Sequence, residues 1–90
     1  MALLEENEIR ERLARVTGWE RRGQEITRTF AFVDFKGSMA FVNRVAGLAD
    51  AMDHHPDIDI RYSKVTLTLT THDAGGLTAK DFALAESIGA

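Results

Sequence analysis

VTLTLT, residues 65–70, alternates apolar and hydroxyl side chains along its whole length. A strand sends successive side chains to opposite faces, so Val65, Leu67 and Leu69 share one face while Thr66, Thr68 and Thr70 share the other. That pattern specifies an antiparallel sheet with one face on a core and one open to water. Upstream, Ile58, Ile60 and Tyr62 fall on one parity of a partner strand, with Ser63–Lys64 as the tight turn between them. Further upstream, EITRTFAFVDF (25–35) places Ile26, Phe30 and Phe32 on one parity and Thr27, Thr29 and Ala31 on the other. Trp19–Arg21 reads as a short strand hairpinned to it through Arg22–Gly23.

Helices fill the gaps. Leu3 to Val16 carries Ile9, Leu13 and Val16 at helical spacing, with acids early and arginines late as the helix dipole favours, and Thr17–Gly18 stops it. Asp34, or else Ser38, caps a second helix whose stripe is Phe41, Val45, Leu48 and Met52, widened by Val42 and Ala49. Asn43, Arg44, Asp50 and Asp53 lie off that stripe, and Pro56 ends the helix, because proline disfavours helical geometry in the residue before it. After Gly75–Gly76, Thr78-Ala79-Lys80-Asp81 fits a capping box, and Phe82, Leu84, Ala85 and Ile88 supply a last apolar face. The order is α-β-β-α-β-β-α: an α+β fold, a four-stranded antiparallel sheet with three helices on one face, in a single domain over residues 1–90.

Composition narrows the function. A formal net charge of −3 argues against a nucleic-acid partner, and Arg10, Arg12 and Arg15 alternate with Glu8 and Glu11 as a solvated helix face. With no cysteine there are no disulfides, thiolate zinc sites or redox thiols. No apolar run is long enough to span a membrane, the opening MALLEENEIR lacks the pattern of a secretory signal, and a cytoplasmic protein is expected.

The chain has three histidines, two of them adjacent before its only proline, in MDHHPDIDI (52–60). Three readings are open. His54 and His55 can be a polar helix exit, where imidazolium meets unpaired carbonyls. With His72 they can be zinc ligands, although consecutive side chains diverge at a helix exit and no H-E-x-x-H spacing is present. Or they can be proton carriers, histidine being the side chain that both gives and takes protons near neutrality. Asp50, four residues before His54, is then placed to orient its ring, and Asp53, Asp57 and Asp59 add negative potential.

The spacing across this region resembles that of the pterin-4a-carbinolamine dehydratases. Their pattern runs acid, three residues, His-His-Pro, five residues, aromatic, nine residues, His, eight residues, Asp. Asp50, His54-His55-Pro56, Tyr62, His72 and Asp81 fill it with every gap matched. Gly18–Trp19, VDFKGSMAFVNRVA (33–46) and THDAGGLTAKD (71–81) are similar to family segments as well. Asp50 stands where glutamate is the more familiar residue, and Thr70–Thr71 where the family has serine-threonine.

The resemblance implies an enzyme that dehydrates 4a-hydroxytetrahydropterin to quinonoid dihydropterin, in tetrahydrobiopterin recycling, without metal or cofactor. It implies His54 and His72 as the proton-transferring pair, with His55 positioning the pterin and assisting. Asp81 would hold polar groups of the pterin ring or orient a histidine. Asp50, Asp53, Pro56, Thr70, Thr71, Asp73 and Ala74 would contact substrate, with Thr71 offering a hydroxyl at the rim and Trp19 walling the pocket. The implied assembly is a homodimer or homotetramer with a continuous sheet. The alternative is a non-catalytic interaction module, a transcription-factor dimerisation cofactor or an assembly chaperone.

Overall fold

The computed structural model describes residues 2–89. Its elements are α1 (Glu6–Leu13), β1 (Glu20–Arg22), β2 (Glu25–Ala31), α2 (Phe35–Met52), β3 (Asp57–Arg61), β4 (Lys64–Leu69) and α3 (Ala79–Ile88), with a 3-10 turn at His72–Ala74. The four strands pair antiparallel in the order β1-β2-β4-β3. The α-β-β-α-β-β-α order read from the sequence is therefore the observed one.

The alternation in β4 does what it specifies. Val65, Leu67 and Leu69 are fully buried, while Thr66, Thr68 and Thr70 stay half-exposed on the other face. There Thr27 meets Thr68 at 3.4 Å and Thr29 meets Thr66 at 2.8 Å between hydroxyls. The buried face packs with Ile26, Val45, Phe82, Leu84 and Ile88 into one core. Each such side chain contributes about 1.5–3 kcal/mol by leaving water.

Boundaries differ from the expectation where capping decides them. The first helix starts at Glu6, not Leu3, because Glu5 and Glu8 close a capping box, and the Leu4 amide is drawn to the Leu77 carbonyl at 3.0 Å. It ends at Leu13, and the chain turns out through Gly18 at φ 91°, a left-handed conformation that glycine adopts without strain. The first hairpin turns at Gly23–Gln24 rather than Arg22–Gly23, since Arg22 pairs with Glu25. β2 stops at Ala31, and Asp34 then caps α2 by accepting from the Gly37 amide at 2.9 Å.

Pro56 does not end α2. Asp53 does, in a left-handed conformation (φ 49°), with the His54 amide on the Ala49 carbonyl at 3.0 Å and the Asp53 amide on the Asp50 carbonyl at 3.2 Å. This is the Schellman pattern. Tyr62 likewise leaves its expected strand: Arg61 pairs with Lys64, so the turn is Tyr62–Ser63, with Tyr62 at φ 51°. Ile58 and Ile60 sit opposite Leu67 and Val65 but remain 38% and 37% exposed, because β3 is an outer strand.

Candidate active site

α2, β4 and α3 meet at one end of the sheet. The left-handed Asp53 swings the chain out of α2, so that His54 turns inward and His55 outward. Beyond β4, Thr71 bonds across a small loop to Gly76, its amide 3.0 Å from the Gly76 carbonyl, and Gly75 at φ 79° closes that loop. The 3-10 turn inside the loop presents His72. These segments enclose a cleft of about 230 Å³ lined by Asp53, His54, His55, Thr70, Thr71, His72 and Asp73.

The three imidazoles are held differently. His54 is 9% exposed, and its Nε2 lies 2.6 Å from Oδ1 of Asp81, which is fully buried. The other carboxylate oxygen, Oδ2, accepts from the Thr71 hydroxyl at 2.8 Å and the Thr78 amide at 2.9 Å. Asp81 is thus a buried acceptor with both oxygens satisfied, as a buried carboxylate requires. His55 is exposed, with Nε2 2.8 Å from Asp50 Oδ1. His72 is exposed, and its ring bonds to none of the described residues.

The accessibility of His54 can be assigned by atom. Among the described residues, Trp19 Nε1 is the single buried side-chain nitrogen or oxygen without a partner. His54 Nδ1 has no partner either, so it is open to solvent, and His54 meets solvent at the cleft. One ring nitrogen faces a buried carboxylate and the other is open to solvent.

The comparisons with known proteins cover nearly the whole chain. The family model for Pterin 4 alpha carbinolamine dehydratase matches residues 2–90. The chain belongs to that family. A relative from Roseiflexus castenholzii carrying the family's name is 61% identical over 87 residues, covering 97% of this chain and 94% of its own. Such names state the family without establishing the relatives' reactions. The crystal structure titled transcriptional coactivator/pterin dehydratase from Brucella melitensis superposes with a TM-score of 0.92 at 35% identity, over 97% of this chain and 95% of that one. A pterin dehydratase-like protein described as a RuBisCO assembly factor in the alpha-carboxysome shares the fold, with a TM-score of 0.68 at 24% identity over 80% and 86% of the two chains.

Within this dehydratase family member, the residues singled out from sequence divide into three groups. His54, His55, His72, Asp53, Thr70, Thr71 and Asp73 line the cleft. Asp50 and Asp81 stand behind it, each bonded to a histidine. Pro56, Ala74 and Trp19 do not line it. Trp19 belongs to the core, edge-on to Phe30 at 6.2 Å, and borders a separate depression of about 320 Å³ with Arg15, Val16 and Ala85.

Two expectations are corrected. Asp50 bonds His55 rather than His54, because the Schellman turn carries His54 off the face that a continued helix would give it. The Thr71 hydroxyl is not at a rim, since Thr71 is 5% exposed and donates inward to Asp81. The threonine face of β4 lies apart from the cleft. Thr66 instead borders an open depression of about 460 Å³ with Thr27 and Thr29, while Thr70 and Thr71 alone reach the histidines. The capping box at Thr78–Asp81 is present, and its carboxylate also holds His54. Thr78 was legible as a cap but not as a neighbour of Thr71, which its hydroxyl meets at 2.8 Å. Among the described residues no group of three His, Cys, Asp or Glu side chains converges as a metal site, and no helix is long and apolar enough to cross a membrane.

Proposed function

We propose that the protein dehydrates 4a-hydroxytetrahydropterin to quinonoid dihydropterin and water, as a cytoplasmic enzyme of pterin recycling. The observation that carries this is the convergence of three histidines on one cleft, with His54 anchored to a buried carboxylate on one nitrogen and open on the other. The reaction breaks the C4a–O bond and forms a C4a–N double bond. It needs a proton delivered to the departing hydroxyl and a proton removed from the neighbouring ring nitrogen, and no electrons are exchanged.

Two imidazoles in opposite protonation states complete that cycle. His54 takes the proton from the ring nitrogen on its Nδ1, and the Asp81 carboxylate offsets the charge that arrives, as the carboxylate does in a catalytic triad. His72, exposed and without a partner, gives its proton to the hydroxyl. His55, steadied by Asp50, packs and hydrogen-bonds the pterin beside them. General acid–base catalysis of this kind supplies ~10²–10⁴-fold.

A second reading, an interaction module, is favoured by one observation. Val33 (97% exposed), Phe35 and Tyr62 are exposed apolar side chains, with the rings of Phe35 and Tyr62 stacked at 6.5 Å, and Ile58 and Ile60 on the outer strand are exposed as well. An unpaired strand with apolar side chains is a template for another chain. We take its partner to be a second copy, giving a homodimer or homotetramer. The deciding experiment is a dehydration assay with synthetic 4a-hydroxytetrahydropterin. A rate above the spontaneous one supports the enzyme, and a rate equal to buffer leaves the interaction module.

A further inference from the structure

The buried side of the cleft holds more hydrogen bonds than a helix cap needs. Beyond Asp81 lie two threonines, 5% and 1% exposed, whose hydroxyls meet each other at 2.8 Å. A hydroxyl has one proton to donate, and Thr71 gives its proton to Asp81 Oδ2 at 2.8 Å. Thr78 Oγ1 accepts from the backbone amides at the start of α3, including Lys80 at 3.3 Å. The Thr71 hydroxyl and the Thr78 amide are thus the two donors that meet Oδ2.

Resting on the dehydratase reading above, we propose that Thr71 is a positioning residue, whose hydroxyl holds Asp81 as the acceptor that keeps a proton on His54 Nε2. At 2.6 Å, Oδ1 and Nε2 must have a proton between them. Two donors on Oδ2 keep the carboxylate turned so that Oδ1 faces the ring. The tautomer of a histidine is set by the hydrogen bond that its other nitrogen makes. Nδ1 is then left bare and points to solvent, as a base for the substrate proton requires. Removing the Thr71 hydroxyl leaves Oδ2 with the Thr78 amide alone, and the neutral ring can carry its proton on Nδ1, the wrong nitrogen. The other titratable groups lining the cleft, Asp53, His55, His72 and Asp73, are all exposed to solvent.

The test uses the full chain labelled with ¹⁵N-histidine, comparing wild type, Thr71→Val and Thr71→Ser. In wild type, neutral His54 is expected to be protonated at Nε2. In Thr71→Val the Nδ1–H tautomer should rise about tenfold and kcat fall about tenfold with KM unchanged, the loss expected for one hydrogen bond to a charged group. Thr71→Ser, which restores the hydroxyl, should restore both. A folded Thr71→Val variant with the wild-type tautomer ratio overturns the proposal. Should that variant not fold, exchange of the Thr71 hydroxyl proton in wild type decides. Strong protection supports the bond from Thr71 to Asp81, and exchange at the rate of a free hydroxyl overturns it. The tautomer is read without substrate, so a protein lacking dehydratase activity that still shows the shift overturns the assigned reaction and leaves the positioning of His54 intact.

Discussion

Asp50 lies one helical turn before His54, yet its carboxylate bonds the ring of His55, with Oδ1 2.8 Å from Nε2. The buried partner of His54 comes instead from α3, 27 residues further along the chain. Two neighbouring histidines are thus oriented by two carboxylates in contrasting surroundings. Asp50 is 79% exposed by side chain, whereas Asp81 is 0% exposed.

That contrast sets the effect of losing each carboxylate. Asp50→Ala should change stability by no more than about 0.5 kcal/mol, as exposed pairs do, and lower kcat/KM only a few-fold. Asp81→Ala should destabilise the fold by about 1–3 kcal/mol or more, since it strips partners from Thr71, Thr78 and His54 together. Urea unfolding of both variants beside steady-state kinetics measures this. Equal effects from the two would refute the assigned roles.

The histidines themselves should behave unequally in stability and alike in rate. From sequence, both His54 and His72 are expected to be accessible and removable without harm. His54 is in fact buried against Asp81, so His54→Ala should cost about 1–3 kcal/mol of stability while His72→Ala costs little. Either change should bring the catalysed rate down by ~10²-fold or more, and the double variant should lose little beyond that, because groups acting as one unit are not additive. A chelator should leave the rate unchanged, the reaction being complete with proton transfers alone. A fully active double variant would sink the mechanism.

The outer strand makes a register prediction. Two copies of β3 pairing antiparallel about Ile60 would set Asp59 opposite Arg61 of the second copy; pairing about Asp59 would set that acid against itself. Light scattering at micromolar concentration should therefore give a dimer or larger. Arg61→Asp should shift it toward monomer, and adding Asp59→Arg should restore assembly. A wild-type monomer, or an Arg61→Asp variant that assembles normally, would count against this interface.

A pH effect is expected far from the cleft. Arg21 reaches Glu6 with both terminal guanidinium nitrogens, at 2.6 and 3.0 Å, which ties α1 to β1 and holds the Glu6 carboxyl below the usual glutamate range. A carboxyl whose pKa is lowered by folding contributes stability above its unfolded value and loses that contribution as pH falls through the folded one. Glu6→Gln should accordingly be less stable than wild type near neutrality, with the gap closing in acid. The pair is open to solvent, so the gap should also shrink in high salt. A gap that widens on acidification would contradict it.

The sheet was legible because its signal is local. A period of two in Val65–Thr70 and Ile26–Phe30 fixes which face is buried, whatever those strands pack on. The strand ends were less legible, since they depend on which residue accepts a left-handed conformation, and Asp53 and Tyr62 do so without being glycine. At the site, spacing carried the identity of the three histidines and Asp81, but not which carboxylate serves which ring. Asp50 was assigned to His54 on helical spacing, and the turn at Asp53 breaks that spacing one residue before it matters. Trp19 failed for a related reason: a single tryptophan has no period to show which side of a sheet it serves, and here it fills the core.

The Asp81 carboxylate caps the first turn of α3 and holds His54 at once, so that turn acts as the latch of the cleft. Helix ends fray at free energies well below global unfolding. As temperature or denaturant rises, the latch should slip while the core around Leu67 and Phe82 is still intact. Activity would then vanish before circular dichroism records any melting, and it would return at once on cooling, with no refolding phase to wait for.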